Sequence, residues 1–310
     1  MAVHTIEPNE HTLHGVFSRE FPPVLSVEPG DTVRFRTLDA GWGLEPPTEV
    51  GVPRRKFEME GERRGNGHAL CGPVEVRGAT PGSVLEVRIG ELRPAGWGWT
   101  YAGGPHRELN SRLGVSERET LLRWALDQGS MTGSNQFGHT VALQPFMGVM
   151  GMPPAESGLH STRPPRECGG NIDCKELVTG STLYLPVEVE GALFSTGDGH
   201  AAQGDGEVCG QAIECPMDIV ELTFQLRDDL RLSTPRADTP SGWLTFGFHR
   251  DLNTAMVLAL DAMLDLMQER HGLQRPEALA LASVVVDLRV TQVVNEVCGV
   301  HALVPHGVVS

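Results

Sequence analysis

The chain has 310 residues, 40% of them hydrophobic, and it carries a formal net charge of −15. It is long enough to bury a sizeable core, and its acidity argues against nucleic-acid binding, because few cations are left to neutralise phosphates. No apolar run is long enough to cross a bilayer, and the first residues lack the basic and apolar segments of a secretory signal. The six cysteines are therefore expected to be reduced thiols.

The first two thirds of the chain predict β-strands. Apolar and polar residues alternate on both sides of a Pro-Gly turn within residues 22–40, and the same pattern returns within residues 71–89. Residues 140–165 are apolar but rich in Gly and Pro, so we expect a loop there, either lining an apolar pocket or forming a buried connection. Alternation over residues 181–190 indicates a half-buried strand, which a turn at its end would fold back as a hairpin.

Helices are predicted near the C-terminus. Asp251 or Asn253 is expected to cap a helix that continues to about Arg270 and ends at Gly272. A second helix is expected over residues 276–287, because proline is favoured in the first turn. A last strand should follow this second helix, since its sequence is rich in β-branched residues.

Strands that come early and helices that come late predict an α+β fold, mainly β, rather than alternating βαβ units. We expect a stacked, sandwich-like sheet core with helices toward the C-terminus. The chain is expected to form one unit over residues 1–310, which could divide into a β-rich part, 1–245, and a helix-containing part, 246–310. Exposed strand edges in such a fold make a homodimer plausible.

The densest group of chemistry-bearing residues is the segment Gly197–Glu207, which reads GDGHAAQGDGE. Carboxylates and an imidazole in one short segment bind divalent cations or move protons. Asp198 and His200 are two residues apart, so their side chains would share one face of a strand. A second polar segment, 166–175, contains Asp173. The predicted hairpin would bring the two segments together at one end.

The chain resembles the acetamidase/formamidase family in several segments that occur in the same order. They include PPVLSVEPGDTVRFRTLDA, GHALCGPVEVRGATPGSVLEV, QPFMGVMGMPP, GGNIDCKEL and GSTLYLPVEVEGALFSTGDGHAAQGDGEVCGQAIE, and the likeness continues to the closing VNEVCGVHALVP. The resemblance implies a cytoplasmic enzyme that hydrolyses the C–N bond of a short aliphatic amide to acid and ammonia. It also implies a mainly β fold with a metal bound near these segments.

Amide hydrolysis can proceed through water activated by a metal, with a carboxylate as general base. Asp173, Asp198, His200 and Glu207 form a sufficient ligand set for zinc with an open position, and one of the carboxylates could act as the base instead. We favour Glu207 over Asp205 as the base, because the longer side chain reaches further. The many oxygen ligands would also suit calcium or magnesium, so the cofactor is expected to be a divalent metal, most simply zinc.

Four further residues are candidates for the same site. Asn171 and Gln203 could donate hydrogen bonds to the substrate carbonyl oxygen as negative charge develops on it. Glu214 could orient a ligand imidazole. His68 lies a few residues before Gly-Pro, where the family has a recurring histidine, and the resemblance implies a ligand or a substrate contact. Other histidines are expected at the surface: His4, His11, His14 and His106.

Two alternatives stay open. Cys174, Lys175 and Glu176 could form the triad of a thiol amidase, although adjacent residues on a strand point apart. Alternatively, the chain could be a non-catalytic β-sandwich binding module in which the Gly197–Glu207 segment holds a structural calcium ion. This module would bind metal without turning over an amide.

Overall fold

Two large β-sheets account for most of the computed structural model, which describes residues 1–105 and 107–309. Within this part of the chain, the first sheet has nine strands. Their spatial order is Val3–Ile6, Thr32–Thr37, Met217–Arg227, Val84–Pro94, Thr182–Pro186, Arg236–Thr239, Gly242–His249, Val297–Val304 and Asp287–Asn295.

The second sheet has twelve strands among the described residues. Nine of them form a continuous path: Thr140–Ala142, Thr132–Asn135, Glu119–Asp127, Trp97–Gly103, Glu214–Cys215, Phe194–His200, Phe146–Gly151, Gly169–Asn171 and Pro165–Arg166. The other three lie beside this path: Leu13–His14, Leu25–Val27 and Leu70–Val76. The short strands Val16–Phe17 and His160–Ser161 pair separately.

The core lies between the two sheets, which confirms the mainly β, stacked architecture. Phe194 of the second sheet meets Phe224 of the first edge to face, with ring centroids 5.0 Å apart. Both side chains are completely buried. Aromatic pairs in this geometry add to the stabilisation that burial of apolar area already provides, so this contact fastens one sheet to the other.

The helices of the C-terminal part are Leu252–His271 and Arg275–Val285, which confirms the two predicted helices; the short helix Glu108–Arg112 and the 3-10 turn Glu62–Arg64 come earlier in the chain. The Asp251 side chain accepts a hydrogen bond from the Thr254 backbone N–H at 2.8 Å, and Gly272 ends the first helix with a φ of 66°. No helix in the described residues is long and apolar enough to cross a membrane.

The helices pack on the outer side of the first sheet. Val300 and Ala302 belong to the apolar cluster that contacts the helices, whereas Leu303 belongs to the core between the sheets. The strand Val297–Val304 was not predicted from the sequence. The last strand was expected at the position of Asp287–Asn295, one strand earlier. Division at residue 245 and dimer formation both stay predictions.

The loop prediction for residues 140–165 was wrong at its centre. Phe146–Gly151 is an interior strand that pairs with Phe194–His200 on one side and with Gly169–Asn171 on the other. Its glycines permit unusually close backbone packing: a Cβ placed on Gly151 would lie 2.1 Å from the backbone nitrogen of Gly170. The glycines suggested a loop in the sequence, but in the structure they allow the backbones of neighbouring strands to approach closely.

The hairpin prediction was also wrong. Thr182–Pro186 lies in the first sheet, whereas Phe194–His200 lies in the second, so the connection crosses from one sheet to the other. Ala192 and Leu193 make this crossing with positive φ values of 61° and 57°. The strand is buried on both faces rather than half-buried. The two polar segments nevertheless meet, because the strand Phe146–Gly151 pairs with a strand from each of them.

Candidate metal and catalytic site

A single interior strand, Phe146–Gly151, brings the two polar segments together. Asp198 and His200 lie at the end of one neighbouring strand, and Asp173 lies two residues beyond the end of the other. The backbone N–H of Asp173 donates to the carbonyl oxygen of Gly148 at 3.2 Å. As a result, ligand atoms of Asp173, Asp198 and His200 lie within 4.8 Å of one another.

Gly148 makes room for these side chains and was not identified from the sequence. A Cβ placed on it would lie 2.5 Å from Asp198 Oδ2, 2.7 Å from Asp173 Oδ1 and 3.0 Å from His200 Cε1. These separations are too short for any real side chain. The two carboxylates therefore occupy the space that a side chain at this position would need.

A second group of ligand atoms adjoins the first through His200. Glu214 lies opposite His200 on the paired strand, and Glu207 reaches in from the loop that follows. The imidazole Nε2 is 3.3 Å from Asp198 Oδ1 and 3.4 Å from Glu214 Oε2. Glu214, expected only to orient a ligand, thus lies in the cluster itself. We call Asp173, Asp198, His200, Glu207 and Glu214 the acidic cluster.

The acidic cluster is buried and its polar atoms are not satisfied by protein. Among the described residues, one oxygen of each of its four carboxylates and both ring nitrogens of His200 lack a hydrogen-bond partner. Buried polar groups almost always have partners, so several orphaned groups around one point indicate a missing ligand. Carboxylate oxygens and one imidazole nitrogen are a donor set that divalent cations accept. The residues therefore fit the implied metal.

Burial and crowding shift the ionisation of this cluster. Burial raises the pKa of Asp173 well above its usual value, and the charge of Glu207 adds to the effect. Burial likewise raises the pKa of Glu207 to about 8 and that of Glu214 to about 7. For His200, burial favours the neutral form, but the charges of Glu214 and Asp198 outweigh it and raise the pKa well above 6.5. A divalent cation would relieve the excess negative charge.

The four carboxylates of the acidic cluster border a cavity of about 420 Å³. Asp173, Asp198, Glu207 and Glu214 line this cavity together with Asn171, His68, Trp42 and Trp99. The His68 Nδ1 is 2.9 Å from the Thr162 hydroxyl, and His68 lies outside both groups of potential metal ligands. Burial lowers its pKa, although the charge of Asp198 opposes this effect.

Two amides contact the site differently from the prediction. Asn171 Nδ2 donates to the Arg163 carbonyl at 3.0 Å, and Gln203 Nε2 donates to the Asp173 carbonyl at 2.8 Å. Each amide oxygen is buried without a partner in the described part of the chain. Of the two, only Asn171 lines the cavity, so Asn171 offers the site an acceptor, while Gln203 supports the backbone of Asp173.

Asp205 is not brought into the acidic cluster. Its carboxylate is 3.0 Å from Lys175 Nζ and is partly exposed. The thiol triad is not assembled either: Lys175 contacts Asp205, while Glu176 contacts Arg289 at 3.0 Å. Cys174 is completely buried, and burial raises the pKa of its thiol. A neutral, buried thiol is a poor nucleophile.

Asn295 is a site residue that sequence reasoning missed. Its Nδ2 donates to Asp173 Oδ2 at 2.7 Å, across 122 residues of sequence. It ends the strand Asp287–Asn295 and lines the cavity. The closing segment of the chain resembled the family, but nothing in its local pattern linked this amide to Asp173.

His14 was expected at the surface and is instead buried. Its Nε2 is 2.9 Å from the Ser195 hydroxyl, and its Nδ1 is 2.8 Å from the Val16 carbonyl. Neither His14 nor Ser195 lines the cavity of the acidic cluster. His106, which was given the same prediction, lies outside the described residues.

Comparisons with known proteins agree with this geometry. The model of the Acetamidase/Formamidase family matches residues 3–163 and 155–309. The chain is 26% identical to a formamidase of Methylophilus methylotrophus and 27% identical to an acetamidase of Mycolicibacterium smegmatis, in each case over 65% of its length. These matches span 61% and 63% of those two relatives' own lengths. The crystal structure of an acetamidase from Yersinia enterocolitica superposes with a TM-score of 0.87 at 27% identity, covering 99% of this chain and 93% of that one.

Proposed function

The chain belongs to the acetamidase/formamidase family, and from that premise we propose that it hydrolyses the C–N bond of short aliphatic amides to carboxylate and ammonia. The observation that carries this proposal is the acidic cluster, whose unsatisfied ligand atoms border a cavity. Buried unpaired carboxylates are costly, and such groups persist where function requires them. The family relatives support the reaction class, and the cluster supports its metal dependence.

The metal would be held by the acidic cluster, with Asp173, Asp198 and His200 as ligands and Glu214 beside them. When bound, a divalent cation supplies Lewis-acid chemistry: it polarises a carbonyl oxygen and makes water more acidic. The imidazole favours zinc, while the excess of carboxylate oxygens keeps calcium and magnesium as alternatives. His68 lies next to these residues in the cavity wall and is a further ligand candidate.

The chain's own residues supply proton transfer and orientation. Glu207 lines the cavity with an unpartnered Oε2, so it can accept a proton from the attacking water and deliver it to the leaving nitrogen. Asn171 presents its buried amide oxygen, which can accept an N–H of the substrate amide. This role replaces the donor role expected from the sequence. It would hold the substrate nitrogen near the proton donor.

The test is release of ammonia from formamide and acetamide by the purified protein. The proposal expects turnover of at least one of them, loss of turnover after chelation, and turnover lowered by about a hundredfold or more in the Glu207→Gln variant. Metal binding without release of ammonia from any short amide would overturn the proposal. It would favour the alternative of a non-catalytic binding module. Turnover that survives complete metal removal would overturn the metal mechanism alone.

A further inference from the structure

The cavity that holds the acidic cluster also collects basic side chains. Lys56, Arg64, Arg107 and Arg163 all line it, in a chain with 25 basic and 40 acidic residues. None of these four forms an ion pair with a described carboxylate. Other arginines of the chain do form such pairs, among them Arg34, Arg54, Arg55, Arg227 and Arg289. Apart from the acidic cluster, the described residues of the lining contain one carboxylate, that of Glu296.

Two of these cations are held in place. The Arg64 guanidinium lies 3.9 Å from the ring centroid of Trp42, and its Nη1 donates to the Gly65 carbonyl at 3.0 Å. Arg107 Nη1 donates to the Cys209 carbonyl at 3.0 Å. Both side chains are partly buried, and burial lowers the pKa of Arg64. A fixed, partly desolvated guanidinium without an anion is a ready binding group for one.

Two of the basic side chains lie near residues of the candidate site. The positive charge of Arg107 is close enough to Glu207 to stabilise its ionised form, and that of Arg163 acts on His68. The backbone of Arg163 also holds Asn171 through its carbonyl oxygen. A ligand that spans from the acidic cluster to these arginines would therefore need only a short carbon chain.

The cavity is larger than the smallest amides require. Its volume of about 420 Å³ falls within the usual range of roughly 300–1,000 Å³ for small-molecule sites. Formamide or acetamide would contact the acidic cluster but would leave the basic side chains without a partner. Charged side chains that lose water without gaining a partner raise the free energy of the complex. A larger, anionic substrate would avoid this penalty by pairing with them.

We propose that the preferred substrate is a linear amide that carries a carboxylate a few carbons from the amide group, and that Arg64 and Arg107 bind this carboxylate. The inference rests on the proposed function and narrows its substrate class. Arginine suits this role because its planar fork binds both carboxylate oxygens at once. Lys56 and Arg163 line the same cavity and add positive potential to it, which attracts anions from solution.

The test compares two amides of the same shape, succinamate and 4-methylpentanamide, which differ in having a carboxylate or an isopropyl group. With the metal-loaded wild-type protein, kcat/KM for succinamate should exceed that for the neutral amide by about 10- to 100-fold, the scale of a hydrogen-bonded charge pair. Added salt should lower this preference, because ions screen the attraction. Equal kcat/KM values would overturn the inference.

Arg64→Gln should lower kcat/KM for succinamate by at least about tenfold, mainly through KM, and leave the neutral amide unchanged. Arg107→Gln should lower kcat/KM for succinamate by a larger factor than kcat/KM for the neutral amide, because Arg107 also stabilises the ionised form of Glu207. Arg270→Gln is the matched control, since that guanidinium stacks on Trp243 at 4.3 Å outside the cavity. It should change neither substrate. An equal loss on both substrates in the two cavity variants would contradict carboxylate binding.

The two proposals fail in different ways. If the protein hydrolyses formamide, acetamide and 4-methylpentanamide as well as it hydrolyses succinamate, the amidase function stands and the carboxylate preference falls. If no amide releases ammonia, the proposed function falls and this inference falls with it. A variant that does not fold does not weaken the test, because the comparison of the two amides needs only the wild-type protein.

Discussion

Two buried histidines lie at opposite ends of the strand Phe194–His200, and their hydrogen bonding and charged neighbours differ. His14 contacts the beginning of the strand, and His200 is its last residue. His14 binds the Ser195 hydroxyl and the Val16 carbonyl, so both ring nitrogens are satisfied. His200 lies between Asp198 and Glu214, and neither of its ring nitrogens has an aligned hydrogen bond in the described residues.

The electrostatic consequences are opposite. Burial lowers the pKa of His14 to about 4, so this ring stays neutral. Burial alone would do the same to His200, but two carboxylates raise its pKa well above 6.5. The Ser195–His14 pair resembles a nucleophile with its base, yet it is fully satisfied and away from the cavity. Unsatisfied atoms beside a cavity, rather than burial or residue type, distinguish His200, the histidine that we propose to be functional.

The largest predicted effect separates these two histidines. His200→Ala should lower metal content and cut turnover by about a thousandfold or more, because Lewis-acid activation supplies several kcal/mol to the transition state. His14→Ala should leave metal content unchanged and reduce the free energy of unfolding by about 1–3 kcal/mol, since it strands the Ser195 hydroxyl. Metal analysis, ammonia release and denaturant unfolding measure the three quantities.

Two results would contradict the assignment of His200, and not His14, to the metal site. One is full metal stoichiometry and turnover in His200→Ala. The other is metal loss in His14→Ala without unfolding, because the account gives His14 no part in the site.

The next effect separates the proton acceptor from the ligands. Glu207→Gln keeps the shape of the side chain and removes its ability to take a proton, so turnover should fall by about a hundredfold or more. Metal content should stay near that of the wild type. Loss of metal in this variant would instead make Glu207 a ligand, and unchanged turnover would exclude it from both roles. Asp205→Asn is the matched control, because Asp205 pairs with Lys175 outside the cluster.

A smaller effect is expected from substitution of Gly148, which the carboxylates of Asp198 and Asp173 contact. Gly148→Ala places a methyl group where Asp198 and Asp173 now lie, so these carboxylates must move. Displaced ligands usually lower metal affinity or activity by about 10- to 100-fold. Gly204→Ala is the control, because its added Cβ would meet no atom within 4 Å. Equal metal affinity in the two variants would show that Gly148 does not set the position of the carboxylates.

The smallest effect concerns acid stability and leaves neutral activity unchanged. The pKa of His14 is about 4 in the folded chain and that of His301 is also about 4, mainly because both are buried, against 6.5 for a free histidine. Above pH 6.5 the two imidazoles are neutral in both the folded and the unfolded state. Between pH 6.5 and about 4, they gain protons only in the unfolded state. Stability should therefore fall as pH drops from about 6.5 to 4, by on the order of 1–3 kcal/mol per histidine.

Chemical unfolding of the wild type and His14→Gln at pH 7 and pH 4.5 checks this prediction. The variant should lose less of its stability between the two pH values than the wild type loses. An equal or larger loss in the variant would mean that the buried imidazole does not contribute to the acid sensitivity.

All five residues of the acidic cluster could be named as candidates from the sequence, but the way they are assembled could not be predicted. The spacing of Asp198 and His200 predicted a shared strand face, and the structure has both on one strand. Asp173 was expected nearby through a hairpin that does not exist. The two segments meet because Phe146–Gly151 pairs with both, a long-range arrangement that local alternation cannot reveal.

The residues that were missed share one physical cause. Gly148 matters for the side chain it lacks, and Asn295 matters for a contact across 122 residues. Neither property leaves a local pattern in a single sequence. The helices Leu252–His271 and Arg275–Val285 were predicted well because their caps are local signals.

The measurement that tests the central claim most directly is metal stoichiometry and ammonia release determined on the same sample, before chelation, after chelation, and after a divalent metal is restored. The acidic cluster of Asp173, Asp198, His200, Glu207 and Glu214 predicts that both quantities fall together and recover together. The melting temperature should follow them, since a metal bound only by the folded state stabilises it. Ammonia release at the full rate from protein whose metal content is near zero would contradict the account.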